Sequence, residues 1–336
     1  MAKIMKLGIG ILILLLAGPA LLPATAAGAL AEAGLHLQYL QHRGETRRYA
    51  LYLPRQPDKS PALVIELHGG GIHIEDMTGE SGYRTPYRLW MNLADREGFI
   101  VAYPEGLDGA YGKPAWNDCR ANQSVNSSAD DVGFIATLID RIAEQQPIDR
   151  NRIYVSGTSN GGLMALRLAT ELPERIAAVA AVAAAMPEVS ACPPPETPVS
   201  VLFMNGTADN HLPWKGGFLS SPPNPEHGSV LSTPRSVRIW RELNHADRVP
   251  IVCRYPDRDP DDGSTVVRLA YVNGLHDTEV VLYRIKGGGH SAPSRKERYS
   301  RLFERLFGKQ NHDIEMVQEV WRFFRNQRLP RAETGH

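Results

Sequence analysis

The chain has 336 residues, enough for one large α/β domain or two small ones, and its 37 basic residues balance its 37 acidic ones. A formal charge of zero supplies neither a basic face for nucleic acid nor an acidic tail, and an apolar share of 43% is that of an ordinary globular enzyme. Cys119, Cys192 and Cys253 allow at most one internal disulfide with one thiol left over, and their spacing is not that of a metal site.

In chain order, the first expectation is a secretory signal peptide over residues 1–26. Lys3 and Lys6 precede an apolar run from Leu7 to Leu16, and Ala24-Thr25-Ala26 supplies a small-residue cleavage site. The run is shorter than the roughly 20 apolar residues that span a bilayer, and Pro19 and Pro23 interrupt it. Residues 27–336 then read as one catalytic domain of a secreted or periplasmic protein with no stable membrane anchor. Segments 36–40 and 47–53 form an N-terminal strand pair, the second alternating as a half-buried strand does. Continuous apolar runs follow at 62–65, 99–103, 153–155, 177–183, 199–203 and 280–285, the pattern of strands buried on both faces of a parallel sheet. Helical periodicity alternates with them at 87–96, 129–144, 236–243 and 313–324, with Asp313 as N-cap of the last. The region 216–234 reads as a long surface loop, and the aspartates between 247 and 277 fall in polar, Pro-rich runs that look like solvated loops. The fold class is α/β: a mostly parallel central sheet with helices on both faces.

Chemistry enters at Gly157-Thr158-Ser159-Asn160-Gly161, which lies between the strand at 153–155 and a helix beginning near Leu163. The pentapeptide alone is common; strand, turn and helix around it make a nucleophile elbow that holds a serine hydroxyl above the sheet. A serine needs a base and a group to orient the base, and in this arrangement acid and histidine follow in chain order. Asp209 lies just past the strand at 199–203 and His290 just past the strand at 280–285, both on the edge that carries Ser159. The tetrahedral oxyanion requires backbone N–H donors, expected from Asn160 and from Gly69, Gly70 and Gly71 in the loop after the strand at 62–67. Trp116 and Trp214 lie in loops and read equally as pocket walls or as loop anchors. Asp130-Asp131 reads as a helix N-terminus, where carboxylates are stabilising.

With these blocks in order, the chain resembles the polyhydroxybutyrate depolymerase and feruloyl esterase family of α/β-hydrolases over roughly residues 47–324. The resemblance rests on Leu67-His68-Gly69-Gly70-Gly71, Tyr103-Pro104-Glu105-Gly106, Trp116-Asn117-Asp118, Asp130-Asp131-Val132-Gly133, the elbow, Asn205-Gly206-Thr207-Ala208-Asp209 and Gly288-Gly289-His290. It implies an α/β-hydrolase fold and a serine esterase whose triad is Ser159, Asp209 and His290. No metal or cofactor is required, and the substrate is a small or oligomeric ester of hydroxybutyrate, feruloyl or acetyl-carbohydrate type. A serine peptidase on the same scaffold and a non-catalytic binding protein are the alternatives. Two departures stand out: no cysteines near His245 and Leu275, and Ser291-Ala292-Pro293 in place of a Trp-Pro pair after the histidine. The end of the chain soon after its last helix favours a soluble ester over solid polyester.

Overall fold

A two-residue turn starts the sheet. Arg43 and Gly44 both hold positive φ, 50° and 85°, the combination that matches the twist of a tight hairpin, and so β1 (Gly34–His42) folds back on β2 (Glu45–Leu53). The computed structural model describes residues 32–220, 224 and 226–330; the expected signal peptide lies outside the described residues. After the hairpin come β3 (Leu63–Leu67), α1 (Ile74–Thr78), α2 (Leu89–Glu97), β4 (Ile100–Pro104), α3 (Asp131–Gln145), β5 (Ile153–Thr158), α4 (Asn160–Glu171), β6 (Ala178–Val182) and β7 (Ser200–Gly206). A small pair β8 (Gly217–Phe218) and β9 (Ser229–Val230) precedes α5 (Thr233–Leu243), β10 (Ile251–Arg254), β11 (Thr265–Tyr271), β12 (Val280–Lys286), α6 (Arg301–Phe307) and α7 (Met316–Phe324).

The ten-stranded sheet runs β1-β2-β4-β3-β5-β6-β7-β12-β11-β10. Its central strands β4, β3, β5, β6, β7 and β12 pair in parallel, while β1-β2 and β11-β10 close the two sides antiparallel. Strand alternation sends Leu63, Ile65 and Leu67 to one core and Val64 to the other. The first core also takes Phe134, Leu138 and Ile142 of α3, Leu163 and Leu166 of α4 and Trp240 of α5. The second takes Trp90 and Leu93 of α2 and Val317, Val320 and Phe324 of α7. Helices therefore cover both faces, as the uninterrupted apolar runs require.

The ends of two helices follow local rules. Gly98 stops α2 at φ 77°, the left-handed conformation glycine takes without strain. Asp130 caps α3 by accepting from Gly133 N, while Asp131 turns inward to a buried ion pair with Arg47 at 2.6 Å.

One expectation needs correction, and strands β10 and β11 and helix α6 were not among the expected elements. The last helix starts at Met316 with Glu315 as N-cap; Asp313 instead accepts from Arg258 N at 2.6 Å and from Asn311 Nδ2 at 3.1 Å, tying two loops together. The aspartates between 247 and 277 do lie outside strands, but two strands run between them, the exposed edge strand β10 and the half-buried β11 beside it, whose apolar residues are interrupted by Arg268. Helix α6, just after the histidine loop, was also absent from the expected elements; its seven residues span two turns, too few for a clear period.

Candidate active site

Parallel strands place their C-terminal ends on one edge, and β3, β5, β7 and β12 deliver their following loops there together. Ser159 follows β5 directly and sits at φ 57° and ψ −122°, a strained conformation for a residue with a Cβ. Close approach explains the glycines on either side. A Cβ on Gly157 would lie 2.4 Å from Gly161 O, and one on Gly161 would lie 2.4 Å from Leu67 O and 2.5 Å from His68 O. Both obstacles are backbone, so nothing larger than hydrogen fits.

His290 joins the other two residues. Its Nε2 is 2.9 Å from Ser159 Oγ and its Nδ1 is 2.7 Å from Asp209 Oδ2. Asp209 is buried, and its second oxygen accepts from His211 N at 2.8 Å and Leu212 N at 2.7 Å, which fixes the carboxylate plane. His290 N donates to Phe307 O at 2.6 Å, so α6 anchors the loop that carries the base. With Asp209 accepting from Nδ1–H, Nε2 carries the lone pair and Ser159 can donate to it.

The glycine loop divides by hydrogen bonding. Gly71 N donates to Pro114 O at 2.8 Å, which spends its amide on the neighbouring loop. Among the described residues no acceptor lies within hydrogen-bond distance of the Gly69 or Gly70 N–H, and Asn160 N opens α4, where amides have no helical partner. The Cβ positions of Gly69 and Gly70 fall 3.7 Å from Ser159 Cβ and 3.8 Å from Asn160 Cβ. Asn160, Gly69 and Gly70 thus present unspent amides beside the serine, and Gly71 does not.

A cavity of about 460 Å³ opens over Ser159 and His290. One wall is aromatic: Tyr299 stacks on Phe303 at 4.1 Å, Phe303 on Phe307 at 4.5 Å, and Phe307 leans on His211 at 4.6 Å. His211 in turn stacks on His290 at 5.5 Å. Burial, then the nearby His290, lowers the His211 pKa from its ordinary value. Sequence reading missed this wall, although aromatic residues at 299, 303 and 307, four apart, were a legible stripe.

Neither tryptophan lines this cavity. Trp116 is fully buried, donates from Nε1 to His68 O at 3.0 Å and packs on the His68 ring at 4.8 Å, so it anchors loops. Trp214 packs against the core beside Leu212, and its carbonyl accepts from Thr233 N. His68 is neutral at ordinary pH, since burial pushes its pKa down to about 4; Nε2 accepts from Gly106 N at 2.9 Å. Behind Asn160 lies a buried polar group that the sequence did not announce. Asn160 Nδ2 donates to Asp118 Oδ2 at 2.6 Å, and Asp118 forms an ion pair with Arg120 at 2.7 Å.

Cys119 and Cys192 form a disulfide, the single bridge the cysteine count allows, and Cys253 is an exposed free thiol. His73, Glu75 and Glu105 bring possible ligand atoms together, but Arg48 pairs with both carboxylates at 2.7 and 2.8 Å and offsets one of their two charges. Among the described residues no helix is long and apolar enough to cross a membrane.

The comparisons with known proteins agree with this architecture. Residues 47–189 match the family described as esterase PHB depolymerase. A putative esterase of Nocardia uniformis subsp. tsuyamanensis is 31% identical over 74% of this chain and 72% of its own length. A poly(3-hydroxybutyrate) depolymerase of Ralstonia pickettii is 30% identical over 71% of this chain, which spans 45% of that protein. A bifunctional acetylxylan esterase/xylanase of Neocallimastix patriciarum is 28% identical over 76% of this chain, which spans 32% of it. Among solved structures, a thermostable esterase superposes with a TM-score of 0.52 at 14% identity, covering 88% of this chain and 63% of that one. An acetyl xylan esterase from Aspergillus awamori does so with a TM-score of 0.50 at 15% identity, covering 77% of this chain and 95% of that one. These two likenesses speak for the α/β-hydrolase fold. The chain belongs to the polyhydroxybutyrate-depolymerase family of esterases, enzymes that hydrolyse carboxylic esters.

Proposed function

We propose that this chain is an exported serine esterase that works through Ser159, His290 and Asp209 and an acyl-enzyme. The observation that carries the reading is the single imidazole bridging Ser159 Oγ at 2.9 Å and Asp209 Oδ2 at 2.7 Å on the floor of a cavity. Ser159 Oγ attacks the ester carbonyl carbon as His290 Nε2 takes its proton. Asp209 holds the Nδ1–H and stabilises the imidazolium. The carbonyl oxygen gains the negative charge and is met by the N–H groups of Asn160 and of Gly69 or Gly70. Collapse expels the alkoxide, which leaves as the alcohol with the proton from His290. Water then enters, His290 takes its proton, and the acid is released from Ser159.

The disulfide supports an oxidising compartment, in keeping with cleavage near Ala26 and a single catalytic domain over residues 27–336. The aromatic wall of Tyr299, Phe303 and Phe307 suits an ester with an apolar or planar part. Hydroxybutyrate oligomers, feruloyl esters and acetylated carbohydrates are the substrate types proposed.

Ser159→Ala is expected to keep the fold and lose roughly 10⁴-fold or more in turnover of 4-nitrophenyl acetate. A fluorophosphonate should label Ser159 alone, read by peptide mass spectrometry. An adduct elsewhere, or turnover by Ser159→Ala at the rate of the unaltered protein, would overturn the assignment. The three ester types at matched concentration rank the substrates, and the N-terminus of the exported protein reports cleavage.

A further inference from the structure

The cavity is charged asymmetrically. None of its lining residues is an aspartate or glutamate, whereas Lys113, Arg120, His211, His227 and His290 all face it. These groups are not equivalent. The Arg120 charge is spent on Asp118 at 2.7 Å. His211 and His227 are shifted toward the neutral form by burial, His227 also by Arg120. His290 is engaged with Asp209.

Lys113 remains. Among the described residues no carboxylate comes within ion-pair distance of it, and its ammonium donates no hydrogen bond to a protein acceptor. Its side chain is exposed, while its backbone is held in place. The backbone on either side is pinned, with Gly109 N donating to Lys113 O at 2.9 Å and Gly71 N donating to Pro114 O at 2.8 Å. Its stem lies along the glycine loop, Cδ being 3.5 Å from where a Gly71 Cβ would stand. An exposed cation with no protein counter-charge among the described residues therefore sits on the cavity rim, its stem beside the glycine loop. The aromatic residues Tyr299, Phe303 and Phe307 line the same cavity.

We propose that Lys113 is a specificity-determining residue that pairs with a free carboxylate on the substrate, so that the preferred ester carries a negative charge a few atoms from the scissile bond. The inference rests on the serine-esterase reading of the same site. An oligomer of a hydroxy acid ends in such a carboxylate, whereas neutral sugar acetates and cinnamates have none, so the charge orders the substrate types. The contribution belongs to binding away from the reacting atoms and falls mainly on KM. An exposed ion pair of this kind is worth about 1.5- to 5-fold.

The test measures kcat/KM on two matched pairs, mono(4-nitrophenyl) glutarate against 4-nitrophenyl butyrate, and 4-carboxyphenyl butyrate against phenyl butyrate. The first places the anion on the acyl side and the second on the leaving group. In the unaltered protein at least one anionic-to-neutral ratio should exceed that of Lys113→Met by about 1.5- to 5-fold, with Lys113→Glu lower still and Lys113→Arg close to the unaltered protein. Raising salt from about 0.02 to about 0.5 M should erode the same ratio. Ratios in both pairs that are unchanged by Lys113→Met and Lys113→Glu would overturn the proposal. Failure of the esterase reading looks different: none of the four esters is turned over, or Ser159→Ala turns them over as well as the unaltered protein does.

Discussion

Asn160→Ala separates what this residue does through its backbone from what it does through its side chain. The amide beside Ser159 survives the substitution. What disappears is a three-way clasp, in which Oδ1 accepts from Trp116 N at 2.7 Å and Nδ2 donates to Trp116 O at 3.0 Å and to Asp118 Oδ2 at 2.6 Å. Asn160, Trp116 and Asp118 are all buried, so the abandoned partners do not recover these bonds from bulk water. Trp116 N and O are left without a partner at about 1–3 kcal/mol each, while Asp118 loses one donor and keeps Arg120. Allowing for partial relaxation, the sum is about 3–5 kcal/mol, a large share of the 5–15 kcal/mol typical of a folded domain. Asn160→Asp should be worse than Asn160→Ala at neutral pH, because it loses the donor and sets a second carboxylate against Asp118. Urea denaturation followed by tryptophan fluorescence reads both effects. Turnover of 4-nitrophenyl acetate should fall less than the roughly 10²–10³-fold expected when an oxyanion donor is lost, since the amide remains. A midpoint for Asn160→Ala equivalent to less than about 1 kcal/mol of destabilisation would refute the reasoning, as would Asn160→Asp proving the more stable of the two.

The remaining predictions concern stability. The disulfide closes a sequence separation of 73 residues, for which chain entropy alone gives about 4 kcal/mol; Cys119→Ser with Cys192→Ser should lower stability by about 2–4 kcal/mol in urea melts. Blocking exposed Cys253 with iodoacetamide should leave it unchanged, and equal effects of the two treatments would contradict this. Glu66 is fully buried against Trp90 Nε1 at 2.8 Å, and burial pushes its pKa up from 4.5 to about 8. The folded chain therefore holds one more proton than the unfolded chain between those values, so this residue's contribution is complete below about pH 4.5 and is lost as pH rises through about 8. The loss is on the order of 4–5 kcal/mol, and Glu66→Gln should flatten the fall in stability across that window. An unaltered pH slope in Glu66→Gln denaturation curves would count against the buried, protonated carboxyl.

Much of the site was legible before folding because its signals are local. The motif glycines flank Ser159 within one pentapeptide, Gly157 being demanded by its contact with Gly161 O in the same turn, and the acid and base follow their strands at short, countable distances. Buried parallel strands likewise announce themselves as apolar runs, which is why β3 to β7 and β12 were anticipated to within a few residues, whereas the exposed β10 and the half-buried, Arg-interrupted β11 were not. The sequence by itself determined the fold class, the elbow and the order of the candidate triad. Tertiary structure alone decided which side chains face the cavity. It turned Trp116 inward to hold His68, spent the Gly71 amide on Pro114, brought the Tyr299, Phe303 and Phe307 stripe over His290, and left Lys113 without a counter-charge. The physical reason is that such contacts join residues tens to hundreds of positions apart. They are settled by how loops cross above the sheet, which neither periodicity nor spacing encodes.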